Sequence, residues 1–198
     1  MAEPIYAVIA YVAGGLGNFV DEQRDRLNPE YAAALAHVTV LPPRALAGWP
    51  TAVSPAGVTP AGVTPEATLA FLGEQCARLE PFDLSVDGVG TFWPAKGVVY
   101  LSFSKGSDQL IELHRLLNSG ELECAEPFPF IPHLTIAQEL DEEATKAVLA
   151  AVSREWERYE GDRSFRIETL CLVRQGEGHR WINLAPIPLS SFFYAARP

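Results

Sequence analysis

His37-Val38-Thr39-Val40 and His133-Leu134-Thr135-Ile136 are two copies of one pattern, about half the chain apart. Each has the form His-aliphatic-Thr-aliphatic, and the flanking sequence is typical of a buried strand. In an extended strand, residues i and i+2 point to the same face. The histidine and threonine of each copy therefore share a face, while the aliphatic side chains enter a core. Two such strands facing each other would offer two imidazoles and two hydroxyls to one cleft, which is the outline of a phosphate site.

The pattern is informative because it occurs twice. A single His-x-Thr sequence on a strand is common, because threonine favours strands and a half-exposed histidine needs no function. Two copies instead favour catalytic roles for His37, Thr39, His133 and Thr135. Paired histidines can also hold a metal, but such a site needs a third ligand at short spacing, and neither copy has one. We therefore predict an acid–base pair with no metal and no cofactor.

With these motifs, the chain resembles the 2H phosphoesterase superfamily, which includes 2′-5′ RNA ligase-like proteins and cyclic phosphodiesterases. The resemblance extends from residue 5 to about residue 189, and Pro132 before the second motif also fits the family. Ala36 takes the corresponding place before the first motif. The resemblance implies an α+β fold with two pseudo-symmetric lobes. Each lobe would be a mainly antiparallel sheet with helices on its outer face, with one motif per lobe at a central cleft.

Size and charge limit the architecture and the partners. The chain has 198 residues, 48% hydrophobic and 20% charged, which predicts one compact domain or two small lobes. The family resemblance implies a single bilobal domain over residues 1–198. Its net charge of −10 argues against wrapping long nucleic acid, whose affinity comes mainly from phosphate neutralisation. A local cluster of donors can still bind one phosphate. The charge therefore favours a nucleotide or a short RNA as the partner, and the family resemblance implies that it carries a cyclic or 2′-5′ phosphodiester. We expect a monomer.

Cysteine usage and hydropathy indicate the compartment. Cys76, Cys124 and Cys171 form no C-x-x-C pair and are typical of thiols in a reducing compartment. The N-terminus lacks the basic region of a secretory signal, and no apolar run approaches the length of a membrane span. We expect a cytoplasmic protein with no membrane partner.

The start of the chain suggests an alternative. An apolar run over residues 5–12 predicts a strand, and Gly14-Gly15-Leu16-Gly17-Asn18 follows before a helical stretch. Strand, glycine-rich turn and helix is the order of a dinucleotide-binding unit. However, the third small residue of that fingerprint would be Val20, and the next strand carries the first motif instead of an acidic end. A tight turn is the favoured interpretation.

Further elements follow from local patterns. Residues 19–27 are predicted to form a helix with Arg24 among the charged residues on its solvated side. The first motif strand is predicted to end at Leu41, because two prolines follow it. Favourable caps at Thr64, Ser107 and Asp141 predict three more helices. Residues 164–173 and 181–187 predict a closing hairpin.

Two arginines are candidates for substrate binding. Arg44 follows Pro42-Pro43 and could reach an anion bound near Thr39, although a solvent-facing loop arginine is the simpler interpretation. Arg174 lies at the end of a predicted strand. Its position near the cleft is implied only by resemblance to the C-terminal hairpin of the family.

Aromatic residues could line the cleft. Phe92 and Trp93 occupy the tip of a predicted hairpin, where they could stack on a base or plug a core. Phe130 lies in the proline-rich approach to the second motif and could form a cleft wall. Trp49 belongs to a Pro- and Gly-rich segment, residues 41–65, which is either a flap over the cleft or an inert insertion.

These residues favour one chemistry. Hydrolysis of a 2′,3′-cyclic phosphate needs a base for the water proton and an acid for the leaving sugar oxygen, and two imidazoles supply both near neutral pH. The threonine hydroxyls would donate to the non-bridging oxygens. The leading hypothesis is a metal-independent phosphodiesterase acting on a 2′,3′-cyclic or 2′-5′ nucleotide or RNA phosphodiester. The alternatives are a non-catalytic nucleotide- or RNA-end-binding module and, more weakly, a dinucleotide-dependent oxidoreductase. Either histidine can be the base.

Overall fold

A computed structural model of the protein describes residues 4–46 and 64–189. Trp49 and most of the 41–65 segment lie outside the described residues. The described part contains the strands β1 (Tyr6–Tyr11), β2 (His37–Arg44), β3 (Phe82–Thr91), β4 (Val99–Lys105), β5 (Leu134–Ala137), β6 (Ser164–Ile167), β7 (Thr169–Gln175) and β8 (Trp181–Pro188). Its helices are α1 (Gly14–Leu27), α2 (Pro65–Cys76), α3 (Ser107–Leu117) and α4 (Glu142–Arg158).

The strands form two antiparallel groups of four. The spatial order is β6-β3-β4-β5 and then β2-β1-β7-β8, and every neighbouring pair is antiparallel. The groups meet where β2 pairs with β5, through Val38 opposite Leu134. Each motif thus lies on the inner edge strand of its own group. The predicted α+β fold with two mainly antiparallel lobes is confirmed.

The faces of the motif strands differ as predicted. Val38, Val40, Leu134 and Ile136 are completely buried in the main core. Helices cover this side: α1 contacts β5, α3 contacts β2, and α4 contacts β3 and β4. Each of α1 and α3 therefore packs on the motif strand of the other half. The alternate side chains, two histidines and two threonines, point away from the helices because strand side chains alternate.

The glycine-rich turn belongs to the first helix. Helix α1 begins at Gly14, earlier than the predicted start at residue 19. A side chain at Gly17 would place its Cβ 2.1 Å from the Val12 carbonyl oxygen, so only glycine lets the helix approach the end of β1 this closely. Backbone packing accounts for this glycine.

Strand β2 is longer than predicted. It continues through Pro42 and Pro43 to Arg44, which pairs with Tyr6 of β1. The prediction that it ends at Leu41 was wrong. A register shift between Tyr6 and Val8 marks a β-bulge at this point, and prolines are tolerated in strands at bulges. The caps of two predicted helices are present: the Thr64 and Asp141 side chains accept from backbone N–H groups of α2 and α4.

Candidate active site

The two motif strands lie side by side at the junction of the lobes. With Val38 opposite Leu134, the antiparallel register sets His37 opposite Thr135 and His133 opposite Thr39. All four side chains share the face opposite the helices. The histidines are then diagonal neighbours, a relationship in which Cα atoms lie roughly 7–8 Å apart and Cβ atoms somewhat closer. One phosphate group can fit between imidazoles on such positions.

A cleft of about 570 Å³ covers this junction. His37, Thr39, His133 and Thr135 all line it. Its walls come from four regions: the end of α1 and the turn after it, the β3–β4 loop, the proline-rich segment before β5, and the region around the β7–β8 turn. The structure therefore brings the four predicted catalytic residues into one cavity, and their catalytic roles remain a prediction.

Both histidines are oriented in the same way. The Nδ1 atom of His37 lies 2.6 Å from the Leu35 carbonyl oxygen, and Nδ1 of His133 lies 2.7 Å from that of Ile131. A carbonyl oxygen can only accept, so each Nδ1 carries a proton and donates it. The tautomer is thereby set, and Nε2 of each ring is left as a proton acceptor when the imidazole is neutral.

The electrostatic surroundings of the two histidines differ. The pKa of His37 is lowered to about 4, mainly by burial, and the positive charges of Arg24 and of a protonated His133 contribute in the same direction. Burial also lowers the pKa of His133, without a contribution from either charge. The hydrogen bond to the carbonyl opposes burial at both rings. Both imidazoles are therefore mainly neutral at pH 7 in the free protein.

An aromatic ring packs edge-on against each imidazole. The Phe92 ring is perpendicular to His133, with 4.9 Å between centroids, and Tyr100 contacts the same imidazole at 5.4 Å. Trp181 is perpendicular to His37, with 6.3 Å between centroids. Together with the carbonyl bonds, these rings restrict rotation of both imidazoles.

Arg24 connects the two motifs, and the prediction that it lies on the solvated side of its helix was wrong. Its side chain is only 3% exposed, and Nη2 donates to the Thr135 carbonyl oxygen at 2.6 Å, while Nη1 donates to the Ala34 carbonyl. Asp21 forms an ion pair with it at 3.8 Å. The sequence contained a signal, because Arg24 continues the four-residue spacing of Leu16 and Val20, both of which are buried.

The predicted aromatic residues divide into two groups. Phe92 and Phe130 line the cleft. Phe130 stacks on His114 with 4.0 Å between ring centroids, and His114 in turn bonds through Nδ1 to the Val40 carbonyl oxygen at 2.8 Å. Trp93, by contrast, is partly exposed on the β3–β4 loop and does not line the cleft.

The structure places neither predicted arginine at the cleft. The Arg44 side chain is 8% exposed and is bound by the Glu126 carboxylate at 2.5 Å, by Asn118 at 2.7 Å and by backbone carbonyls, so its donors hold the connector before β5. Arg174 pairs with Tyr6 on β1 and therefore shares the face of Val8, opposite the face of His37. Its neighbour Gln175 lines the cleft instead.

Other cleft residues were not predicted. His179 lies in the β7–β8 turn and Trp181 is the first residue of β8, and the Tyr31 ring packs at a tilt against His179 with 4.1 Å between ring centroids. Their positions depend on how β8 folds back beside β7, which in turn pairs with β1, and no local pattern reveals this. Among residues 4–46 and 64–189, no three His, Cys, Asp or Glu side chains are grouped so that they could hold a metal ion. No helix in the same ranges is long and apolar enough to cross a membrane.

Two antiparallel lobes, each contributing a His-x-Thr strand to a shared cleft, define the 2H phosphoesterase class. The family model of the 2′-5′ RNA ligase superfamily matches residues 14–179, and the chain belongs to this family.

Related sequences agree with this family assignment, and solved structures agree with the fold. A Bacillus licheniformis protein provisionally named a phosphoesterase is 25% identical over 147 residues, which cover 74% of this chain and 78% of that protein. A Bacillus cytotoxicus protein with the same kind of name is 28% identical over 158 residues, covering 80% and 81%. The fold is similar to that of E. coli LigT complexed with 3′-AMP, with a TM-score of 0.59, 17% identity and coverage of 96% and 99%.

Proposed function

We propose that this chain is a metal-independent phosphodiesterase that hydrolyses a 2′,3′-cyclic or 2′-5′ phosphodiester of a nucleotide or short RNA. The observation that carries the proposal is the matched orientation of His37 and His133 in one cleft. In each ring, Nδ1 donates a hydrogen bond to a backbone carbonyl oxygen, and Nε2 remains free to contact a reacting group. Such a pair can take a proton on one side of a phosphorus atom and give one on the other.

The electrostatics favour one assignment of roles. The pKa of His37 is lowered to about 4, and the positive charge of Arg24 lies nearby. The His37 imidazole therefore stays neutral and acts as the base. His133 takes the first proton and acts as the acid. His37 Nε2 accepts a proton from the attacking water, the water oxygen bonds to phosphorus, and the bond to one ribose oxygen breaks as His133 donates to it. The product is a phosphomonoester, and exchange with solvent restores both imidazoles.

Substrate binding favours the protonated form of His133. A phosphodiester carries a negative charge, and a nearby opposite charge raises the pKa of a histidine. The bound anion therefore favours protonation of His133 when it is needed. Thr39 and Thr135, which line the same cleft, donate hydroxyl hydrogen bonds to the non-bridging oxygens, where negative charge grows in the transition state.

The walls of the cleft suit a nucleotide. Phe92 and Phe130 offer aromatic faces, and Lys96 offers a positive charge on the rim. A volume of about 570 Å³ is within the range of small-molecule sites. Structures of E. coli LigT, which has the same fold, are complexed with 3′-AMP, NADP+, phosphate and ATP. Similar ligands are therefore the first to test on this chain.

One observation supports the second candidate, a non-catalytic nucleotide-binding module. Both imidazoles have lowered pKa values in the free protein, so neither is a ready proton donor at pH 7. If a bound phosphate does not raise the pKa of His133, the cleft binds without turnover.

Hydrolysis of a panel of 2′,3′-cyclic nucleotides and 2′-5′ dinucleotides separates the two candidates. We expect hydrolysis that persists in EDTA and is lost in His37→Ala and in His133→Ala, both with unchanged circular dichroism. His179→Ala, which removes a cleft histidine outside the motifs, serves as the control and retains turnover. Chelator-sensitive hydrolysis or a fully active motif variant contradicts the proposal. Nucleotide binding without any hydrolysis supports the second candidate.

A further inference from the structure

A second cavity lies beside the cleft, on the His37 side. We call it the outer pocket; it has a volume of about 570 Å³ and is lined by Tyr11, Ala32, Ala33, Leu35, Arg180, Trp181 and Asn183. Trp181 also lines the cleft, so the two spaces share this side chain. The outer pocket is also tied to His37, because Tyr11 pairs with His37 across β1 and β2 and the Leu35 carbonyl accepts its Nδ1 proton.

The walls of the outer pocket suit a flat aromatic group with polar edges. Trp181 and Tyr11 supply aromatic surface, and the Leu35 side chain is 60% exposed with apolar surface available for packing. The Asn183 Oδ1 atom accepts from the Tyr11 hydroxyl at 2.5 Å, which leaves the Asn183 amide N–H groups to donate to a ligand. Stacking surface with a nearby amide donor is how proteins bind an unpaired nucleobase.

Arg180 adds a positive charge at the same place. Its side chain is exposed, and among the described residues its guanidinium has no ion pair or hydrogen-bond partner. By contrast, Arg24 and Arg44 are fully occupied within the protein. An unpaired arginine beside aromatic residues, on a chain with a net charge of −10, is suited to a phosphate.

We propose that the outer pocket binds a second nucleoside, adjoining the one whose phosphodiester lies between the histidines, with Arg180 on the phosphate that links them. Single-stranded nucleic acid is bound by successive stacking surfaces next to cations, and Trp181 lines both spaces. The substrate is then a short oligonucleotide end and not a cyclic mononucleotide. This inference rests on the proposed function, because it takes the cleft as the site of the reacting phosphate.

Calorimetric titration of the 198-residue chain tests the inference without turnover. The probes are adenosine 2′-phosphate and the 3′-5′-linked adenosine dinucleotide that carries the same 2′-phosphate at its 3′ end. They differ only in the second nucleoside and its phosphate. We expect the dinucleotide to bind wild-type protein about tenfold more tightly, the gain from about one stacked base. Equal affinities for the two probes overturn the inference.

Two variants test whether the tighter binding of the dinucleotide comes from the outer pocket. Arg180→Gln removes the charge, and Ala33→Trp fills the pocket from an exposed turn position; neither residue lines the cleft. Both should reduce the advantage of the dinucleotide and leave the affinity for adenosine 2′-phosphate unchanged. Arg158→Gln removes an equal charge from an exposed position on α4 and should preserve the advantage. If the full advantage survives in Arg180→Gln and in Ala33→Trp, the outer pocket is not the second subsite.

The two proposals can fail separately. If cyclic nucleotides are hydrolysed but the probes bind equally, the outer-pocket inference fails and the proposed function stands. If the advantage of the dinucleotide depends on Arg180 and Ala33 but no phosphodiester is hydrolysed, the subsite stands and the hydrolytic function fails.

Discussion

The two motif sites share their local geometry but differ in their electrostatic environment. In each, a carbonyl two residues earlier holds Nδ1 and an aromatic ring packs edge-on against the imidazole. Only His37, however, has its pKa lowered by a neighbouring arginine, Arg24. The repeated sequence therefore builds two similar imidazoles, and the charge of Arg24 from α1 acts on only one of them. In the mechanism that we propose, this difference assigns the base to one half and the acid to the other.

The largest effect is expected from removing either imidazole. Proton transfer by one positioned group typically contributes 10²–10⁴-fold to a rate. His37→Ala and His133→Ala should each lower kcat by about that factor. Because the two act on one phosphorus atom, the double variant should be little worse than either single variant. Steady-state kinetics on the best cyclic substrate measures all three, and losses that multiply would show that the histidines act independently.

Replacing the threonines compares the two halves directly. Loss of one donor to a developing oxyanion costs about 10²–10³-fold in an enclosed site, and we expect about 10–10²-fold in this open cleft. Thr39→Val and Thr135→Val keep the shape and the strand propensity while removing the hydroxyl. The loss should appear in kcat more than in KM, since the donation strengthens in the transition state. Thr169→Val, on the exposed start of β7, is a matched control that should change neither constant.

Arg24 should matter to stability as well as to the site. Arg24→Gln leaves the Ala34 and Thr135 carbonyls without their donor, and unsatisfied buried groups cost about 1–3 kcal/mol each. We expect the free energy of unfolding to fall by about 2–4 kcal/mol, measured by urea denaturation. Arg26→Gln removes an exposed arginine of the same helix and should cost much less. Equal losses would mean that Arg24 does not hold the two motifs together.

The sequence predicted the motif strands well because their information is local. Alternation assigned Val38 and Leu134 to the core and the four polar side chains to the opposite face. The repeat also indicated that the two strands meet, since both copies offer the same chemistry. The structure adds the register, with Val38 opposite Leu134, which brings the histidines to diagonal positions.

The residues whose positions the sequence did not reveal depend on contacts between distant elements. Arg44 has donors suited to an anion, but Glu126, 82 positions later, occupies them. Arg174 is placed by the pairing of β7 with β1, which turns it to the other face of the sheet. Trp181 was treated only as the start of a strand and lies at His37 because β8 folds back beside β7. No periodicity in the chain reports such pairings.

The smallest effect we predict is on the pH dependence of kcat/KM. In the proposed mechanism, the active form has a neutral His37 and a protonated His133. Activity should therefore be lost as the pH falls through the His37 pKa of about 4, and also as it rises through the His133 pKa, which lies below its usual 6.5. The maximum should lie on the acidic side of neutrality.

Arg24→Gln should move one limb of this profile only. The charge of Arg24 lowers the pKa of His37 and does not act on His133, so its loss should raise the acid midpoint by less than about one pH unit and leave the alkaline midpoint in place. Arg24→Lys keeps the charge and should shift neither midpoint. A shift of the alkaline limb alone would reverse the assignment of base and acid, because Arg24 would then be acting on the histidine that must be protonated.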